Sequence, residues 1–106
     1  ENKENLGKVA ADALQMASTD IEATASSVAK IPRRTEYIEE IHSFKNDLKT
    51  LRATLQEMNA ELRAENFEQV QTKAKTVQGQ AERLRREVRG VMAQEGLLTP
   101  RAGRRR

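Results

Sequence analysis

A chain of 106 residues with 37% hydrophobic and only 3% aromatic residues is one small domain's worth, and its core must be aliphatic and thin. The absence of cysteine excludes a disulfide framework, a zinc knuckle and a thiol nucleophile, and no apolar run approaches the ~20 residues of a membrane span or forms a signal-peptide core. The formal net charge of +3 and the pI near 9.5 come from Arg101, Arg104, Arg105 and Arg106; without these four the balance falls to −1, so the body of the chain is close to neutral.

The first helix is expected over about 3–30. Its seam is Ala10, Leu14, Ala17, Ile21, Thr24, Val28 and Ile31, at gaps of four and three, and Leu6, Val9, Ala13 and Met16 widen the stripe at its start. Small residues on this seam let a neighbouring helix come close. Pro32 lacks an amide proton and disfavours helix at the residue before it, so the helix should end near Lys30. Thr35 is the expected N-cap of a second helix over about 36–64, with Glu36, Glu39 and Glu40 placed favourably against its dipole. The seam of that helix is Ile41, Phe44, Leu48, Leu51, Leu55, Met58 and Leu62. Asn66 to Gln69 has the form of a capping box and opens a third helix, 67–95. This one carries Phe67, Val70, Ala74, Val77, Ala81, Leu84, Val88 and Val91, and Gly96 stands at its expected C-terminal cap. Gly79 and Gly90, inside it, mark either close helix contacts or mere tolerance. Residues 97–106 lack periodicity and are expected to be a disordered basic tail.

Three helices of about 28 residues each, roughly 43 Å long, joined by short links, predict an all-α fold, an antiparallel up-down-up three-helix bundle spanning 1–96. The acidic start of helix two would then face the end of helix three, with Arg83, Arg85, Arg86 and Arg89. The rival arrangement is a long hairpin that forms a homodimer of four or six helices.

Candidate chemistry is sparse. Glu39 and His42 have the Glu-x-x-His spacing of di-iron bundles, but those sites use the motif twice and His42 is the only histidine. Pairing His42 with Met16, Met58 or Met92 as haem ligands would need a wide apolar pocket, and seam methionines serve as filler. Ser18, Ser26, Ser27 and Ser43 lie in helices with no nucleophile elbow and no base except His42. The expectation is a non-enzymatic chain with no cofactor and no metal site. One segment has a composition that asks for a partner. Arg101, Arg104, Arg105 and Arg106 could bind an anionic surface, either lipid or a cell-wall polymer, at ~1 kcal/mol per basic residue near a charged membrane. Nucleic acid is disfavoured, because Tyr37, Phe44 and Phe67 are the only aromatics and both Phe belong to seams.

The stretch from Leu62 to Val88, LRAENFEQVQTKAKTVQGQAERLRREV, resembles the closing helix of a bacterial family of uncharacterised envelope lipoproteins with an alanine-rich helical bundle. Ala64, Asn66 and Phe67 stand where that family has a Gly-Asp-Tyr-like turn, and Ala74 and Ala81 correspond to its repeating small residues. The segment from Ala13 to Ile21 is similar to the family's opening helix. Fewer alanines in the middle helix and the Pro-Arg-Arg link depart from the pattern. The resemblance implies a periplasmic domain tethered to lipid through a preceding cysteine, with no enzymatic role. A start at Glu1 rather than Met fits the expectation of a processed product. On this reading the chain is a structural or protein-interaction module of the cell envelope, its protein partner unidentified. The alternative is a cytoplasmic coiled-coil adaptor or nucleic-acid accessory protein that uses the arginine tail.

Overall fold

A computed structural model describes residues 2–94, and these form three long helices and one short turn. They are α1 (Asn2–Ala29), a 3₁₀ turn (Thr35–Tyr37), α2 (Ile38–Arg63) and α3 (Phe67–Gln94). The expectations placed on Glu95, Gly96 and the tail, including Arg101, Arg104, Arg105 and Arg106, lie outside the described residues.

All three helices pack on one another, α1 most extensively against α3. Their directions follow from cross-helix neighbours. Glu22 meets Arg52, and Lys3 meets Glu65, so α1 and α2 run antiparallel. Lys73 meets Glu57 and Glu61 across the second link, so α2 and α3 are antiparallel too. Gly7 lies against Phe67 and Asp20 against Arg85, which makes α1 and α3 parallel. This is the up-down-up three-helix bundle. Its radius of gyration is 17.0 Å, against about 13 Å for a globular chain of this length, so the domain is a rod.

The core is aliphatic along its length. Ala10, Ala17, Ile21, Thr24, Val28 and Ile31 come from α1 and its end; Ile41, Phe44, Leu48, Leu51 and Met58 from α2; Val70, Ala74, Val77, Ala81, Leu84 and Val88 from α3. Thr24 is the one buried polar residue among those described, and its hydroxyl donates to the Asp20 carbonyl of the preceding turn at 2.8 Å. An inward-facing threonine thus costs no unpaired donor.

Several residues depart from the pattern read along the chain. The widening set of α1 does not join the core: Leu6, Val9 and Met16 are exposed, and only Ala13 is half-buried. Tyr37 is buried, one four-residue step before Ile41, and extends the α2 seam into the link. At the far end of α3, Met92 is buried while Val91 is only half-buried. An α-helix drifts about 20° per heptad against a strict seven-residue repeat. Three heptads after Val70 the drift has carried Val91 to the edge of the stripe, and Met92 takes the inner place.

The two links are built differently. In the first, α1 tightens as it ends: Lys30 and Ile31 donate to the carbonyls of Ser27 and Val28 at 3.0 and 3.1 Å, and Pro32 stops propagation. Thr35 does not cap α2 as expected. It opens the 3₁₀ turn, in which Tyr37 N–H donates to Arg34 C=O at 2.9 Å, and α2 starts after Tyr37 without a side-chain cap. The buried Tyr37 ring anchors this entry in place of a polar cap. In the second link, Asn66 N–H donates to Glu61 C=O at 2.8 Å and Glu65 N–H to Leu62 C=O at 3.0 Å, with Glu65 at φ 66°. These two bonds are a Schellman motif, with glutamate at the left-handed position where glycine is usual. Asn66 then begins α3, its carbonyl accepting from Val70 N–H at 3.1 Å.

Gly79 and Gly90 face open space, so neither marks a close helix contact. The close approach is at Gly7, where an added Cβ would stand 3.2 Å from the tip of the Phe67 ring. We expect Gly79→Ala and Gly90→Ala each to stabilise the bundle by about 0.5–1 kcal/mol, visible as a rise in Tm, and Gly7→Ala to gain clearly less because the ring must yield. At the second link, Glu65→Gly relieves the left-handed strain and should stabilise by about 0.5 kcal/mol net of the exposed Lys3 pair, whereas Glu65→Val should destabilise by more than about 1 kcal/mol in the same denaturant titration.

Candidate functional site

Each helix of a three-helix bundle has one face inward, two flanks against its neighbours and one face to solvent. On α2 the two flanks are sorted by charge. One line reads Ile38, His42, Lys45, Lys49, Arg52, Gln56, Asn59 and Arg63, at alternating gaps of four and three, and contains no acid. The opposite line reads Glu40, Ser43, Asp47, Thr50, Thr54, Glu57 and Glu61, at gaps of three and four, and contains no base. Chain-wide charge averages conceal this polarity, because the two lines nearly cancel. Its signal is the same alternation that marks the core seam, applied to charged rather than apolar residues.

The acidic line lies against α3, and its half near the second link is answered there. Lys73 Nζ holds Glu61 at 2.9 Å and Glu57 at 3.3 Å, and further along Asp47 shares a groove with Gln80, Arg83 and Glu87. Hydrogen bonding of the Lys73 ammonium to Glu61, and then to Glu57, raises its pKa above the ordinary lysine value; Lys3 is raised likewise by Glu65. The arginines at the end of α3 do not all serve the α2–α3 seam as expected. Arg85 reaches Asp20 on α1 at 3.5 Å and Glu82 at 3.6 Å, and Arg86 also reaches Glu82, at 3.6 Å.

The basic line lies against α1, and there the balance is different. Glu22 takes up Arg52 in a two-pronged pair, with contacts of 3.1 and 3.3 Å. Among the described residues, Arg33, Lys45 and Lys49 have no carboxylate within ion-pair distance. The α1 flank opposite is made of small residues, among them Ala25 and Ala29, and these leave a shallow groove between the helices. Val28, Ile31, Ile41 and Leu48 form its apolar floor, and Arg33, Lys45 and Arg52 stand on its rim. Lys49 continues the cationic edge beside Ala53 and Gln56. The result is an open apolar trough with a positive border.

Residues considered for chemistry are dispersed. His42 and Glu39 are exposed on α2, Met16 is exposed on α1, and Met58 and Met92 are in the core. No group of three His, Asp or Glu side chains among the described residues is placed to hold a metal ion. No helix among them is long and apolar enough to cross a membrane. Compared with protein-family models, curated proteins and solved structures, the chain matches none.

The Lys73 cluster has a measurable pH consequence. A lysine pKa that is raised on folding contributes stability that is fully present below the unfolded value of 10.5 and is lost as pH rises through the folded value. The Tm difference between the native chain and Lys73→Met should therefore be constant on the neutral side and shrink above pH 10.5. A difference that grows with alkaline pH would contradict the assignment.

Proposed function

We propose that this chain is a non-enzymatic helical interaction module that presents the basic trough between α1 and α2 to an acidic amphipathic segment of another protein. The observation that carries the proposal is the sorting of charge on α2. Its acidic flank places Glu57 and Glu61 on Lys73 of α3, while Lys45 and Lys49 on the other flank, and Arg33 in the link before it, keep their charge for a partner. A segment with carboxylates along one edge and a few apolar side chains toward the trough would satisfy rim and floor together. Individual exposed pairs are worth only ~0–1 kcal/mol, so the row acts mainly by steering approach and fixing register. The concavity favours a narrow peptide-like occupant over a flat bilayer. The sparse aromatics, with Tyr37 and Phe44 buried in the core, provide no stacking platform for nucleic-acid bases. An envelope setting is a further part of the proposal, supported by the lipoprotein resemblance alone; recovery of the native protein in the cytosolic fraction would remove it.

The test titrates the full chain with a synthetic Glu-rich amphipathic helical peptide and, separately, with a DNA duplex, following amide chemical shifts. The peptide should perturb residues around Arg33, Lys45 and Lys49, bind more weakly as salt rises, and lose at least about tenfold in affinity in the Lys45→Glu/Lys49→Glu variant. No peptide binding, or binding indifferent to that reversal, overturns the proposal. Salt-dependent duplex binding that vanishes on deleting residues 101–106, without peptide binding, would establish the nucleic-acid alternative instead.

A further inference from the structure

The flank of α1 beside the trough follows the line Ala11, Gln15, Ser18, Glu22, Ala25 and Ala29, at alternating gaps of four and three. Glu22 is the one ionisable residue on it. Its carboxylate meets the Arg52 guanidinium as a fork: Nη2 donates to Oε1 at 3.1 Å and Nε to Oε2 at 3.3 Å. Both side chains stay open to water, Arg52 at 48% and Glu22 at 61% exposure, so another anion can reach the pair. Because α1 and α2 are antiparallel, each step from Glu22 toward the end of α1 moves back along α2. Ala25 then falls opposite Lys49 and Ala29 opposite Lys45, and both alanines line the trough with Lys45 and Arg52. Lys45, Lys49 and Arg52 form one continuous cationic edge. Among the described residues, Arg52 alone of these three carries a carboxylate from within the chain.

We infer that Glu22 is an internal competitor for the trough: it holds Arg52 as a carboxylate of the acidic partner would, and the partner displaces it to engage the whole row. The inference rests on the peptide-binding function proposed above and adds a regulating contact to that same site. Exchange at Arg52 replaces one guanidinium–carboxylate fork by another, so that position by itself favours neither state strongly. The gain on binding lies at Lys45 and Lys49, which have no carboxylate to give up. Until it is displaced, Glu22 also repels any acidic chain approaching this edge. A segment with a single carboxylate therefore gains little over the resident one. A segment whose carboxylates reach Lys45, Lys49 and Arg52 together displaces it. The contact sets a threshold on charge spacing, which is selectivity obtained by a repulsive element rather than by added attraction.

The Glu-rich peptide used to test the trough is titrated into the native full chain and into three variants, each altered at one exposed position. Glu22→Gln should keep the native Tm within a few degrees and bind the peptide about two- to fivefold more tightly, the range set by one exposed ion pair. Glu39→Gln removes the same charge roughly 20 Å farther along α2 from Arg52 and should change the affinity less. Ala29→Glu sets a second internal carboxylate opposite Lys45 and should weaken binding several-fold. Peptide binding that depends on Lys45 and Lys49, yet is unchanged or weakened by Glu22→Gln, overturns the competitor and leaves the trough as a binding site. An equal gain in Glu39→Gln does the same, as does tighter binding in Ala29→Glu. Absence of peptide binding, or binding indifferent to Lys45→Glu/Lys49→Glu, overturns both.

Discussion

The bundle depends on close packing between α1 and α3, the pair in most extensive contact. The buried line of α3 alternates alanine with larger aliphatics, and α1 offers Ala10 and Ala17 beside Ile21 and Val28. A core with almost no aromatic volume can reach native packing density only if the helix axes come close, and small residues at the crossing allow that. At Gly7 the absence of a side chain makes room for the Phe67 ring. Thr24, Ser26 and Ser27 near the end of α1 favour helix only weakly, and tertiary contact holds that helix as well as propensity does.

From that packing follows the distribution of everything polar. Once α1 and α3 are drawn together, α2 closes the third side and has two flanks of different character. Toward α3 it meets Lys73, with two carboxylates on one ammonium, and this pins the α2–α3 hairpin near its turn. Toward α1 it meets Ala25 and Ala29, which have neither the length nor the charge to answer a row of lysines and arginines. Glu22 answers Arg52 and leaves the rest of the row to solvent. The trough is thus a consequence of the small residues that let α1 pack tightly elsewhere.

The hairpin link shows how local chemistry can be overridden by global need. A Schellman closure favours glycine, and a glutamate at φ 66° carries a cost of about 1 kcal/mol. The turn survives because both ends are fixed by packing: Leu62 is half-buried before it, and Phe67 docks on Gly7 after it. The first link makes the complementary choice, replacing a hydroxyl cap at Thr35 with the buried ring of Tyr37. In both links burial decided the conformation and the capping residue adapted to it.

The helices, their inward residues and the position of Asn66 at the start of α3 were legible in the chain because a 3.6-residue repeat registers directly in the spacing of apolar side chains. The two charge lines of α2 were equally present in the sequence, visible to the same spacing test once it is applied to Lys, Arg, Asp and Glu. Spacing could not say that Leu6, Val9 and Met16 would face outward, since two adjacent apolar lines on one helix are indistinguishable until a neighbour chooses between them. Nor could it say that Glu65 would turn left-handed without a glycine, or that Gly7 rather than Gly79 or Gly90 would take the close contact. Periodicity assigns residues to faces, but it carries no information on the hand in which three helices are wound. That winding alone put the basic flank of α2 against the small residues of α1 and the acidic flank against Lys73. The opposite hand would have exchanged them, and only tertiary packing makes that choice.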